Sequence, residues 1–140
     1  RLDKHTTGLI LLTNTGDLSH RLLSPARHVD KTYAFSVKFP LSEEDLTALE
    51  SGVDIGGYVT APCKVELDPK DPEERGVHGR ITLHEGKYHQ IKLMMEARHN
   101  QITRLQRITF GPLILDPALD AGEWRMLTEG EVKALENHAK

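Results

Sequence analysis

Lys31-Thr32-Tyr33-Ala34-Phe35-Ser36-Val37-Lys38-Phe39 decides the fold class. Tyr33, Phe35, Val37 and Phe39 are aromatic or branched, while Thr32, Ala34, Ser36 and Lys38 between them are small or polar. Side chains on a strand alternate between its two faces, so the stretch from Lys31 to Phe39 predicts a strand with one face on a core. Downstream, Leu41-Ser42-Glu43-Glu44-Asp45-Leu46 carries a helix start: Ser42 can cap, Asp45 offers a shortened capping-box carboxylate, and Leu41 can staple onto Leu46. That helix should end near Gly52. Upstream, Leu18 and Leu22 at a spacing of four predict a short helix over about 17–23, stopped before Pro25. Before it, the apolar run from Gly8 to Thr13 reads as a buried strand closed by the turn residues Asn14-Thr15-Gly16.

The remaining chain continues this mixture. Val59, Ala61, Cys63, Val65 and Leu67 alternate, and Pro62 among them places that strand at an edge or a bulge. Pro69, Asp71, Pro72, Glu73 and Glu74 form an exposed loop, Arg80 to His84 a strand, and Tyr88, Ile91, Met94 and Met95 a helix over about 88–97. Ile102 to Phe110 is β-rich with imperfect alternation, which predicts an irregular strand before Gly111-Pro112. Glu123 to Leu127 reads as a further short strand. Thr128 and Glu131 make a capping box that opens a final helix through Leu135. Strands outnumber helices and few are separated by a regular helical crossover. The expected fold class is therefore α+β, a mixed and largely antiparallel sheet flanked by helices, in a single domain over 1–140.

Composition bounds the function. Of the 140 residues 38% are hydrophobic and 28% charged, a balance that supports a core and a solvated surface. No apolar run approaches the length of a membrane span and the first residues do not resemble a signal peptide, so a cytoplasmic protein without a membrane partner is expected. Cys63 is the one cysteine, which excludes an internal disulfide and a zinc-finger pattern. The formal net charge of −3 lacks the basic footprint usual for a nucleic-acid binder. Acidic residues cluster, however, at Glu43, Glu44, Asp45 and Glu50 and again at Glu129, Glu131 and Glu136. This leaves Arg1, Lys4, Arg21, Arg27, Lys31, Lys87, Lys92, Arg98, Arg104 and Arg107 less opposed.

Singly, the residues that could carry chemistry say little. Asp3 lies in a loop before an apolar strand, where aspartates usually close turns. Tyr33 lies on an apolar strand face, where core tyrosines are common. Glu85-Gly86-Lys87-Tyr88-His89-Gln90-Ile91-Lys92 gathers donors at a turn and a helix start, a place that suits anions such as phosphate. In order along the chain, however, Arg1-Leu2-Asp3-Lys4-His5-Thr6-Thr7-Gly8-Leu9, Asn14-Thr15-Gly16-Asp17-Leu18-Ser19-His20-Arg21 and Lys31-Thr32-Tyr33 stand together with the Glu85 to Lys92 segment. Arg104-Leu105-Gln106-Arg107, Phe110-Gly111 and Gly122-Glu123-Trp124-Arg125-Met126-Leu127-Thr128 follow. With these motifs the chain resembles the pseudouridine synthases of the ribosomal small-subunit (RsuA) type, over essentially its whole length. Tyr88-His89-Gln90-Ile91-Lys92 is similar to the small-subunit branch rather than the large-subunit ones.

The resemblance implies an isomerase that converts a specific uridine of small-subunit (16S) ribosomal RNA to pseudouridine on a flipped-out nucleotide, with no cofactor and no metal. It implies Asp3 as the nucleophile, toward the ribose C1′ or the uracil ring, and Tyr33 as the tyrosine that packs on the uracil and takes the C5 proton. Lys92 is implied as the cation that keeps Asp3 ionised and oriented, the two pairing at roughly 3–4 Å. Arg1, Lys4, Lys31, Lys87, His89, Gln90 and Arg107 are the implied RNA-binding positions. The implied partner is ribosomal RNA, free or in an assembling small subunit, with a monomer favoured. Family members ordinarily carry an S4-like RNA-binding domain and opening strands with a Lys-Pro-x-Gly segment before the Arg-Leu-Asp motif. A chain that begins at that motif is expected to be the catalytic domain without them. Leu93 departs from the basic residue common after the position of Lys92. Two other readings stand beside this one: a large-subunit (23S) synthase, and a non-catalytic RNA-binding or ribosome-assembly module. A metal-dependent hydrolase built on the eight histidines lacks a carboxylate cluster and ligand spacing.

Overall fold

In the computed structural model, which describes residues 2–71 and 75–140, the quoted stretch is the centre of the sheet. Strand β2 (Lys31–Val37) is antiparallel to β4 (His78–Leu83) on one side and to β5 (Ile102–Phe110) on the other. β3 (Lys64–Leu67) pairs with β4 and forms one edge, as Pro62 just before it implied. On the opposite edge β1 (Thr7–Gly8) runs parallel to β5, and β6 (Leu113–Ile114) folds back on β5 as a hairpin. The order β1-β5-β2-β4-β3 is the mixed, largely antiparallel sheet expected.

Helices α2 (Glu43–Ser51) and α3 (Gln90–Ala97) bury their apolar stripes on one sheet face with Phe35, Val37, Ile81 and Leu83. Phe35, Leu49, Ile81, Met94 and Met95 are at most 1% exposed, so this is a dry core. A second cluster joins α1 (Gly16–Leu23) and α4 (Glu129–His138) to Phe110 and Leu113 through Leu22, Val29 and Leu135. Both expected capping boxes form. Ser42 accepts from the Asp45 N–H while the Asp45 carboxylate accepts from the Ser42 N–H, and Thr128 and Glu131 repeat the arrangement.

Several expectations fail for identifiable reasons. The strand expected over Gly8–Thr13 stops at Gly8, apart from one bond from the Leu9 N–H to the Arg107 carbonyl. The edge of β5 beyond Arg107 is already taken by β6, and the Leu115 N–H fills the Ile108 carbonyl. Ile10 and Leu12 are left 50% and 79% exposed. The alternation of β2 ends at Val37, where the β5 register shifts, and Phe39 is exposed. The first half of the Val59–Leu67 strand is drawn elsewhere: Val59 bridges Asp54, Ala61 bonds the Glu85 carboxylate, and Cys63 bonds the Glu50 carbonyl. The segment 123–127 has no ladder partner among the described residues; Arg125 anchors it to Asp116 and Glu131. The α3 helix begins at Gln90, not Tyr88, because His89 before it is left-handed, with φ 50°. Of the loop expected around Pro69–Glu74, Pro72, Glu73 and Glu74 lie outside the described residues.

Candidate active site

The register of β2 places Tyr33 opposite Ile81 of β4 and Arg107 of β5, so all three share the covered face of the sheet. Toward the end of that face where β2 begins, an open cleft of about 90 Å³ forms. Its floor and walls are Tyr33, Leu83, Leu105 and Ile91, from three strands and α3. Its rim is Leu2, Asp3 and Thr6 on one side and Glu85, Gly86, Lys87 and Gln90 on the other. Asp3 and Tyr33, thirty residues apart, therefore meet on one cleft.

Asp3 is exposed, and its turn is closed by the Thr6 N–H donating to the Asp3 carbonyl at 3.0 Å. Downstream of that turn Gly8 anchors the chain on β5. A Cβ at Gly8, where φ is +101°, would stand 2.2 Å from the Arg107 carbonyl oxygen, so only glycine lets the backbone approach this closely.

The other rim is organised by Glu85, named in the sequence only as the start of the Glu85 to Lys92 segment and given no role there. Its carboxylate accepts from the Tyr58 O–H at 2.5 Å, the Ala61 N–H at 2.7 Å and the Gln90 side-chain amide at 2.8 Å. Partial burial opposes its charge, but these donors outweigh it and hold the carboxyl below its usual range. Gln90 in turn accepts from the Lys87 N–H, which fixes the turn into α3. The Lys87 ammonium lies 4.5 Å from the Tyr58 ring centroid, so that the tyrosine bridges the carboxylate and the cation. A donor hub of this kind joins residues far apart in sequence; neither spacing nor pattern announces it.

The other expected site residues are placed as follows. Arg1 lies outside the described residues. Lys4 is exposed beside Asp3, and His89 is half-buried with its ring against Tyr88. Lys31 is half-buried two residues before Tyr33; burial lowers its pKa and the charge of Arg107 lowers it further, against an opposing contribution from Asp30. Three of the expected residues are engaged within the fold or lie off the cleft. Arg107 is 4% exposed, donates from Nε to the Leu9 carbonyl at 2.8 Å and lies over Phe110, so its guanidinium is engaged within the fold. Gln90 is 5% exposed and its amide is spent on Glu85 and Lys87, which makes it a support of the rim. Lys92 does not line the cleft and makes no ion pair with Asp3 among the described residues. The buried stripe of α3 is Gln90, Ile91, Met94 and Met95, and Lys92 falls off that stripe into solvent. The lysine on the cleft is Lys87.

Comparison with known proteins gives the family. The family model described as RNA pseudouridylate synthase matches residues 1–97. The chain is 49% identical over 136 residues to the uncharacterized RNA pseudouridine synthase YtzG of Bacillus subtilis strain 168, covering 96% of this chain and 56% of that protein. It is 39% identical over 137 residues to ribosomal small subunit pseudouridine synthase A of Haemophilus influenzae, again covering 96% and 56%. A crystal structure of a pseudouridylate synthase superposes with a TM-score of 0.87 at 38% identity, over 96% of this chain and 56% of that one. An archaeal box H/ACA Nop10–Cbf5 complex, at 20% identity and a TM-score of 0.57, shares the fold alone. The chain thus spans about 56% of the length of the curated relatives it matches.

Proposed function

The chain belongs to the RNA pseudouridylate synthase family, and from that premise we propose that it is the catalytic part of an enzyme that isomerises a specific uridine in small-subunit (16S) ribosomal RNA to pseudouridine. The observation that carries this reading is the convergence of Asp3 and Tyr33 on one open cleft. A uridine inside a stack exposes neither C1′ nor C5 to such groups, so the nucleotide is extruded into the cleft, at a cost of a few kcal/mol in unstacking. Its ring lies against Tyr33 and the apolar wall of Leu83, Ile91 and Leu105. Asp3 attacks, the N1–C1′ bond breaks, the uracil turns and C5 bonds to C1′ with release of Asp3, and the proton that C5 loses is offset by one that N1 gains. In this reading Tyr33 takes the proton that C5 loses, the role the family resemblance implies for it. No electron is gained or lost overall, and the carboxylate is regenerated.

The cation that keeps Asp3 ionised is assigned to Lys92 by family resemblance, whereas Lys87 is the lysine on the cleft. Lys92 serves only if its long side chain swings toward the rim. Replacing each by Met distinguishes them, because the partner of Asp3 is the one whose loss raises the pKa of the acid limb of the rate profile. Preference for the small subunit rests on the likeness to relatives of that name.

The test is tritium release. Small-subunit and large-subunit rRNA transcripts labelled with tritium at uracil C5 are incubated separately with the chain. Release from the small-subunit transcript, with the RNA uncut, supports the proposal. Release from the large-subunit transcript alone moves the substrate to the other ribosomal subunit, and binding without release leaves a non-catalytic module.

A further inference from the structure

Of the six residues from Gly86 to Ile91, four line the cleft, and Tyr88 and His89 do not. Instead their rings stack on each other with centroids 3.9 Å apart and planes 11° from parallel. His89 supports this arrangement from a left-handed backbone, φ 50° and ψ 35°, which is sparsely populated by residues with a side chain. It is held there from both sides: the Leu93 N–H donates to the His89 carbonyl at 2.9 Å, and the buried Gln90 amide takes the Lys87 N–H at 3.0 Å. The result is a fixed aromatic pair whose outer member, Tyr88, is 79% exposed. Lys87 precedes it and Lys92 follows four residues later, and no other large hydrophobic residue between Lys87 and Phe110 is exposed. An exposed, fixed aromatic beside lysines at the edge of a cleft suits a charged polymer with flat rings better than the apolar surface of another protein.

We propose that the stacked Tyr88–His89 pair is the platform on which the base next to the extruded nucleotide stacks, an inference that rests on the synthase reading of the cleft. Extrusion takes a stacking partner from each neighbouring base. A ring held one residue from the cleft wall replaces one of those partners and so offsets part of the cost of extrusion. Base–aromatic stacking is tolerant of sequence, so the platform aids opening without choosing the site.

Two readouts on the chain and its Tyr88→Ala and Tyr88→Phe variants test this. The first is binding of a short oligouridylate carrying a single 2-aminopurine, whose fluorescence falls when it stacks. The second is the rate of tritium release from small-subunit rRNA labelled at uracil C5. The platform predicts that Tyr88→Ala weakens oligonucleotide binding by about five- to a hundredfold and abolishes the quenching. Tyr88→Phe should stay within about threefold of the parent, since the ring face and not the hydroxyl is used. The dependence of binding on salt should be the same in all three, because no charge changes. In tritium release the Ala variant should lose through KM with little change in kcat. Binding and quenching by Tyr88→Ala equal to the parent would overturn the platform while leaving the synthase reading intact. Loss of quenching with rescue by Phe in a chain that releases no tritium would sustain the platform and remove the synthase reading instead.

Discussion

Tyr33 stands on a strand bonded on both sides and backed by a buried apolar core, whereas Asp3 stands in an exposed turn closed by a backbone bond from Thr6. One cleft thus has a rigid wall and a lightly held carboxylate. Under the proposed function the difference suits a group that must approach a nucleotide already seated against the wall, with preorganisation in the surface and adaptability in the carboxylate. It also separates two kinds of damage. Injury to the wall should unfold the molecule, and injury to the turn should silence it while the fold remains.

The largest expected effect on stability comes from the wall. Met94→Ala opens a cavity under α3 where nothing can collapse, and should cost about 2–5 kcal/mol in a urea denaturation. A loss well below this range would mean that the dry cluster does not brace the cleft. Gly8→Ala breaks the comparison from the other side. The added Cβ meets the Arg107 backbone at an unfavourable φ, so β1 should leave β5. We expect a smaller stability loss, about 1–3 kcal/mol, but a fall in turnover out of proportion to it, because the Asp3 turn loses its anchor. Equal losses of stability and turnover in the two variants would erase the distinction between wall and turn.

Glu85→Gln sharpens the comparison at the opposite rim and should cost about 1–2 kcal/mol at neutral pH, since an amide cannot accept from all three donors. The pH dependence follows from the direction of the shift. A folded-state pKa below the unfolded one means that the unfolded chain binds the extra proton first as acid is added. The contribution of Glu85 is therefore full above the ordinary carboxylate range and is lost as the pH falls through its lowered value. Asp45 and Glu131 act in the same direction, Glu131 being held down to about 2 by Arg125 and the Thr128 N–H. Comparing denaturation at pH 7 and at pH 3, the Gln variant should lose less stability on acidification than the parent; an unchanged loss would remove Glu85 as the organiser of the rim.

Much of this wall was legible in the sequence. The alternation from Lys31 onward, the Ser42 and Thr128 capping boxes and the Ile91, Met94 and Met95 spacing are local patterns, and local patterns determine elements that a core then accepts. What stayed hidden depends on neighbours. The apolar run Gly8–Thr13 reads as a strand because nothing in it reveals that the β6 hairpin occupies its edge of β5. Likewise nothing in the sequence reveals that the buried stripe of α3 leaves Lys92 exposed and Lys87 on the cleft. Asp3 and Tyr33 were found as members of a motif set, not from their own surroundings. Glu85 was part of a motif but its role was not legible, since that role lies in three donors that only the fold assembles.

The central claim is that Asp3 reacts in the cleft that Tyr33 walls, and Asp3→Asn tests it most directly. The exchange removes the charge at nearly constant volume in an exposed turn, so the denaturation midpoint and the RNA affinity should stay close to those of the parent. Measured under single turnover on small-subunit rRNA with tritium at uracil C5, label release should fall by at least about a thousandfold, the scale expected when a nucleophile is removed. Release within about tenfold of the parent, from a variant as well folded as the parent, would contradict the account.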